Sequence, residues 1–255
     1  MTMSDTNPND RTTVAAVGVL AMCIVTFDHE ALGHGGLCLA LGGHITLLTT
    51  SLFACDHRTI WLAPAGPAMN IFVGTLALML NRVVPRDRPA LKLFLILVTA
   101  FSYFWEGGYV VQAMIEQKGD MYYAFRYTLG EPSPLGRVAL AVPGATLYVA
   151  ALVITAKALA GLGFEARVTQ AVARTAWLVA TLGAVAAASL SSHGWSNIRD
   201  GAMEIGLASC PLVLISFPSL RHNGSAFVIT RNRTIIACAV VVFAAFAATM
   251  GRGIG

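Results

Sequence analysis

Long apolar runs separated by short polar stretches dominate the chain, and seven of them approach the roughly 20 residues that a helix needs to cross a bilayer. They cover residues 14–41, 60–80, 90–115, 138–162, 172–190, 202–217 and 234–250, the sixth being short. Between the first two runs, residues 42–57 bring Ile45, Leu47 and Leu48 together with Thr49 and Thr50. That stretch is β-prone, too polar to span and too apolar for an ordinary loop, so it predicts a short hairpin at the membrane surface. Residues 116–134, with Gly119, Asp120, Tyr122, Tyr123 and Tyr127, read as an interfacial loop whose aromatic rings sit at headgroup level. The pattern therefore predicts an all-α polytopic membrane protein of six to seven transmembrane helices, with a membrane-associated β-hairpin after the first. A polar tail over residues 1–12 would lead into one transmembrane domain over residues 13–255.

Composition agrees with lipid as the solvent. Of 255 residues, 56% are hydrophobic and 12% are charged, against roughly half and about a quarter in a soluble domain. Too little charge is present to coat a water-facing surface, which excludes a soluble enzyme. The polar start of the chain lacks the cationic head of a removable signal peptide, and no polar connection is long enough for a folded regulatory domain. Five cysteines (Cys23, Cys38, Cys55, Cys210 and Cys238) form no C-x-x-C pair, and four lie in apolar runs, so no disulfide framework is expected.

The net charge of +4 is spread between the apolar runs, where cations orient helices and do not form a nucleic-acid stripe. If all seven runs span, Arg11, Arg82, Arg86, Arg88, Lys92, Lys157, Arg167, Arg174, Arg221, Arg231 and Arg233 share the side of the N-terminus. Arg58, Lys118, Arg126, Arg137, Arg199 and Arg252 fall on the other. The positive-inside bias then puts the N-terminus in the cytoplasm and the C-terminus outside, as in a multi-pass protein of a bacterial-type inner membrane. Expected partners are membrane lipids and a transmembrane peptide substrate or partner membrane protein, with no nucleic acid.

One interruption of the first apolar run changes the picture. Asp28-His29-Glu30-Ala31-Leu32-Gly33-His34-Gly35-Gly36 sets four ionisable side chains into seven residues of a membrane helix, and each is costly in hydrocarbon. Two histidines beside a glutamate form the zinc-hydrolase arrangement: neutral imidazoles hold the metal and the glutamate takes a proton from its water. The usual spacing is H-E-x-x-H. Here the histidines are one residue further apart, which on a regular α-helix separates them by about 140°. A π-bulge restores them to one face, and Gly33, Gly35 and Gly36 make the backbone permissive. His-Glu-Ala-Leu-Gly-His resembles the H-E-x-x-x-H zinc motif of the dipeptidyl peptidase III family. Glu30 and His34 also share a face without any bulge, and in that alternative Glu30 is a ligand and not a free base. The bland reading of these residues is a hydrogen-bonded packing site between helices.

At the head of the second run stands Ala65-Gly66-Pro67-Ala68-Met69-Asn70. A Gly-Pro pair frees backbone groups in a membrane helix, and Asn70 can hydrogen-bond a neighbouring helix or an extended peptide. Taken in order, the histidine-glutamate helix, the β-prone segment and this A-G-P-x-x-N helix resemble the site-2 protease family of intramembrane zinc metalloproteases over roughly residues 14–80. The resemblance implies peptide-bond cleavage within the membrane, with Zn(2+) on His29 and His34, Glu30 as general base, and Gly66, Pro67 and Asn70 at the substrate. It further implies a third ligand from an Asn…Asp-Gly segment. Asn197-Ile198-Arg199-Asp200-Gly201 keeps those residues but lacks the family's proline, and it nominates Asp200. A substrate strand would pair with the hairpin edge near Ile45 to Thr50.

Asp28, Glu106, Asp120, His193 and Glu204 are the further candidates for the site. Glu106 is a lone carboxylate in the third run, lining a polar cavity or making an interhelical hydrogen bond. His44 and His57 read as loop histidines in water, and with His29, His34, His193 and His222 they are too few for a histidine-box di-iron centre. Two other functions stand beside the protease: a non-catalytic metal-binding or scaffold subunit related to that family, and a transporter, for which the expected repeated halves are not visible.

Overall fold

The computed structural model describes residues 9–57, 59–214 and 228–255. Arg58, Arg221, His222 and the end of the sixth apolar run, residues 215–217, lie outside the described residues. The first run begins at α1 (Arg11–Phe27), capped by Asp10, whose carboxylate accepts from Thr13 N at 2.8 Å and Thr13 Oγ1 at 2.7 Å. It continues without a break through a π-helical segment, Asp28–Gly35, into α2 (Gly36–Ala40). The hairpin follows as β1 (Ile45–Leu48) and β2 (Phe53–Cys55), antiparallel, with Leu48 opposite Phe53, Leu47 opposite Ala54, Ile45 opposite Cys55 and a bulge between Ile45 and Leu47. The long helices α3 (Leu62–Val83), α4 (Pro89–Glu116), α6 (Pro134–Ala160) and α7 (Ala166–Ala188) come next, with the short α5 (Asp120–Leu129) between α4 and α6. The interfacial loop expected over residues 116–134 is therefore largely helical.

Among the described residues, six helices are long and apolar enough to cross a membrane. The weak sixth run is instead broken into α8 (Trp195–Gly201), a π-helical segment Ala202–Leu207 and α9 (Pro211–Leu214). Glycines at 201 and 206, with Pro211, deny it one continuous helix. It starts at the end of the bundle that holds Glu116, which Arg199 approaches at 3.3 Å. The chain is back at the opposite end by Ile229, whose carbonyl accepts from Asp10 N at 2.8 Å. The last helix, α10 (Arg233–Phe246), runs on through a π-helical segment, Ala247–Gly251, and brings Ile254 to the hairpin. Asp10 and Ile254 consequently sit at opposite ends of the bundle.

Burial grades from centre to rim. In α4, 72% of the apolar window is enclosed, against 17% in α6, so α4 is the central helix and α6 turns Val138, Val142, Val149 and Val153 outward. Exposed aliphatic side chains on this scale suit lipid contact, since hydrocarbon is as apolar as they are. The face of α7 that packs on α1 is built from Ala173, Ala176, Ala180 and Ala184, small residues that let two backbones approach.

One covalent link departs from the sequence reading. Cys38 at the end of the motif helix is joined to Cys55 of β2, closing a separation of 17 residues, while Cys23, Cys210 and Cys238 remain free thiols. The expectation of no disulfide fails because the hairpin folds back over α2, bringing two cysteines that read as isolated in sequence side by side. The bridge fastens β2 to the helix that carries the histidines. Closing a loop of this length is worth about 3 kcal/mol on chain-entropy grounds. We expect Cys55→Ser to lower the thermal stability of the detergent-solubilised protein, with reductant reproducing the loss in wild type and adding nothing in the variant.

Candidate metal centre

Helical pitch decides whether His29 and His34 meet. In the π-helical segment their backbones lie on one face, and the two Nε2 atoms stand 3.2 Å apart. Each ring is held by its other nitrogen. His29 Nδ1 donates to Glu106 Oε1 at 2.9 Å, and the same oxygen accepts from Asn70 Nδ2 at 2.8 Å. His34 Nδ1 donates to the Leu62 carbonyl at 2.7 Å. Protonation at Nδ1 fixes the tautomer and leaves both Nε2 lone pairs turned toward each other. Aromatic rings pin the planes: Trp105 stacks on His29 at 4.5 Å and Phe53 of β2 on His34 at 5.5 Å.

The third group is Asp120, the first residue of α5. Its Oδ2 is 3.4 Å from His34 Nε2 and 3.6 Å from His29 Nε2, and the three side chains offer ligand atoms all within 4.8 Å of one another.

Two imidazole nitrogens and a carboxylate oxygen fit a divalent metal ion by donor chemistry, and the two Nε2 atoms at 3.2 Å stand close enough to share one ion with Asp120. The space is kept open by Gly66: a Cβ there would lie 2.6 Å from His29 Nε2 and closer still to His34 Nε2. Gly33 serves the same junction, because its own Cβ would come within 2.6 Å of the Gly66 Cα. The motif helix and α3 can approach this closely only through glycine. The result is a compact, buried metal-binding triad beside Glu30, consistent with a zinc-protease-like active site and with an intramembrane metal-dependent hydrolase.

The triad opens into a cavity of about 870 Å³. Its wall includes Glu30, residues 51–55 of the hairpin, Tyr109, Tyr123, Asp200 and Glu204. The outer edge of β1 is taken, since Leu48 and Ile254 exchange both backbone hydrogen bonds at 2.8 and 2.9 Å. The hairpin segment facing the cavity is therefore β2 with its turn, not the β1 side near Ile45 as expected from sequence. Ser51 Oγ in that turn donates to Asn197 Oδ1 at 2.7 Å, tying the hairpin to α8.

Asp120 occupies the third position that the Asn…Asp-Gly pattern had suggested for Asp200. Asp200 lies on the cavity wall outside the ligand group, its Oδ1 3.7 Å from Arg199 Nε. Arg199 in turn pairs with Glu116, which also holds Lys118 at 2.8 Å. Gly66, Pro67 and Asn70 are buried but do not line the cavity, and Asn70 spends its amide on Glu106. Glu106 stands behind His29, and Glu204 is on the cavity wall. Asp28 is buried outside it, with Oδ2 unpaired among the described residues. His193 is exposed and bonded to Ser191 at 3.2 Å. His44 pairs with Asp56 at the surface and His57 is exposed, as loop histidines in water. Tyr109 and Trp105 escaped the sequence reading. Their signal was position, since each lies within three residues of Glu106 on an otherwise apolar helix.

Metal analysis of the protein as purified should give about one divalent ion per chain, sharply reduced in His34→Ala and Asp120→Ala, whose remaining donors bind only with metal in excess, and retained in Asp200→Ala. Retention in Asp120→Ala with loss in Asp200→Ala would reverse the assignment of the third donor. No family model, no curated protein and no solved structure matches the chain, so the reading of the centre rests on the chemistry of His29, Glu30, His34 and Asp120 themselves.

Proposed function

We propose that the protein is an intramembrane zinc metallopeptidase that hydrolyses peptide bonds of membrane substrates. The observation that carries this reading is the convergence of two Nε2 atoms and Asp120 Oδ2 at the head of a cavity whose wall includes Glu30 and the hairpin. His29, His34 and Asp120 would hold zinc, which suits a borderline-soft ion with nitrogen and carboxylate donors. When bound, it supplies Lewis acidity toward a carbonyl and lowers the pKa of water to about 7.

The chain's own groups do the rest. Glu30 belongs to no hydrogen bond that would occupy it as a structural group among the described residues, and it borders the cavity beside both imidazoles. It accepts the proton of the attacking water and returns it to the departing amine. Residues 51–55 offer main chain to an extended substrate, which exposes a carbonyl that a helical substrate would keep in its own hydrogen bonds. Glu106 and the Leu62 carbonyl keep each imidazole in the ligating tautomer.

For orientation we favour a cytoplasmic N-terminus and a site that faces the other side, in a bacterial-type inner membrane. Two independent features support it. The cations of the 82–92 and 157–174 connections gather at the end of the bundle away from the site. The Cys38–Cys55 bridge lies at the site end, and disulfides persist in oxidising compartments such as the periplasm.

Glu30→Gln is expected to keep its metal while cleavage of a panel of fluorogenic single-span peptides in detergent falls by about 10²–10⁴-fold. Full cleavage in that variant would remove Glu30 as the base, and no cleavage by metal-loaded wild type would leave a metal-binding subunit. In intact cells, a cysteine placed at Thr128 should react with a membrane-impermeant maleimide, and one placed at Glu165 only after permeabilisation. The reverse pattern overturns the orientation.

A further inference from the structure

Tyr109 has no assigned task in the site, yet its hydroxyl meets the third donor twice. Tyr109 Oη accepts from Asp120 N at 3.1 Å and donates to Asp120 Oδ2 at 3.4 Å. That oxygen is the same one that faces His34 Nε2 and His29 Nε2. The residue before it, Gly119, has φ +93°, and a Cβ there would fall 2.6 Å from Tyr109 Oη. The turn that delivers Asp120 is thus wrapped on the hydroxyl, and only glycine has the backbone freedom and the space to make it. Tyr109 lies three residues after Glu106, so one face of α4 supports His29 through a carboxylate and Asp120 through a phenol.

We propose that Tyr109 is the positioning residue of the metal centre: its hydroxyl sets where the Asp120 carboxylate stands against the two imidazoles, and metal affinity depends on it. The inference rests on the metal reading of the triad. Asp120 reaches the site from a helix that begins immediately after an unusual turn, without a rigid helix behind it. Its side chain turns about two bonds as a histidine's does, but it has no ring for an aromatic plane to stack on, as Trp105 and Phe53 stack on the histidines. The phenol supplies what Trp105 and Phe53 supply to the histidines. A hydrogen bond into Oδ2 also draws charge from that oxygen, which tunes its strength as a donor.

Tyr109→Phe deletes one oxygen and keeps the ring packed, so it separates positioning from folding. Zinc affinity is read by competition with a chromophoric chelator, and ligand geometry by the visible absorption of the cobalt(II)-loaded protein. We expect Tyr109→Phe to bind zinc about 10–100-fold more weakly and to shift the cobalt spectrum toward that of Asp120→Ala, with unchanged thermal unfolding of the metal-free protein. In the Asp120→Ala background the same substitution should cost nothing further, because the hydroxyl acts through the carboxylate. Wild-type affinity with an unaltered cobalt spectrum in Tyr109→Phe overturns the proposal, and so does an equal loss in both backgrounds. Absence of zinc and cobalt binding by wild type would instead overturn the metal reading on which it rests.

Discussion

An imidazole has two nitrogens, and inside an apolar bundle neither can be left to water. The architecture around the motif helix follows from that constraint. His29 and His34 each commit Nδ1 to a partner on another helix, Glu106 of α4 and the first turn of α3, and each thereby frees Nε2 for a shared task. Two buried lone pairs so close are unfavourable unless a cation or a shared proton joins them, so the polar cluster has the chemistry of a site. The glycine contact between Gly33 and Gly66 is the steric side of the same requirement, since any side chain there would occupy the meeting point of the imidazoles.

Much of this was legible in the sequence because the spacing left few choices. Histidines five residues apart cannot share a face of an α-helix, so a π-helical segment was the local solution, and the glycines flanking His34 announced that the backbone could adopt it. The hairpin declared itself through a β-prone stretch too short to span, and the short sixth run declared its own weakness as a helix. Exchange of Asp200 for Asp120 shows the limit of such reading. Both residues stand in short helices beside glycine, and sequence alone does not reveal which helix is folded over the histidines. The Cys38–Cys55 bridge was hidden for a related reason, because pairing depends on how the hairpin returns over α2 and not on composition. Asn70 illustrates the converse, a motif residue whose identity was clear but whose partner proved to be the protein's own Glu106.

Lipid and site impose opposite demands on the same helices, and the bundle separates them radially. The outer helices turn branched aliphatics outward and carry little chemistry, whereas α4, the most enclosed, bears Trp105, Glu106 and Tyr109 within five residues. A buried polar side chain is tolerated where a packed neighbour satisfies it, and α4 has neighbours on every side. Its position explains why Glu106, Trp105 and Tyr109, which orient His29 and Asp120, come from α4 and not from the elements that bear those ligands.

The three donors are far apart along the chain: two on the first helix and one on α5, with the hairpin, α3 and α4 between them. A ligand that binds only when these parts are docked stabilises the docked state in proportion to its affinity and concentration. Metal binding and bundle assembly are then two faces of one equilibrium. A chain whose α4 and α5 have not yet packed on the motif helix has two imidazoles and no third donor, so its hydrolytic chemistry is withheld until the tertiary structure is complete. The fold acts as its own safeguard, keeping an unfinished peptidase inert among the other membrane proteins being made beside it.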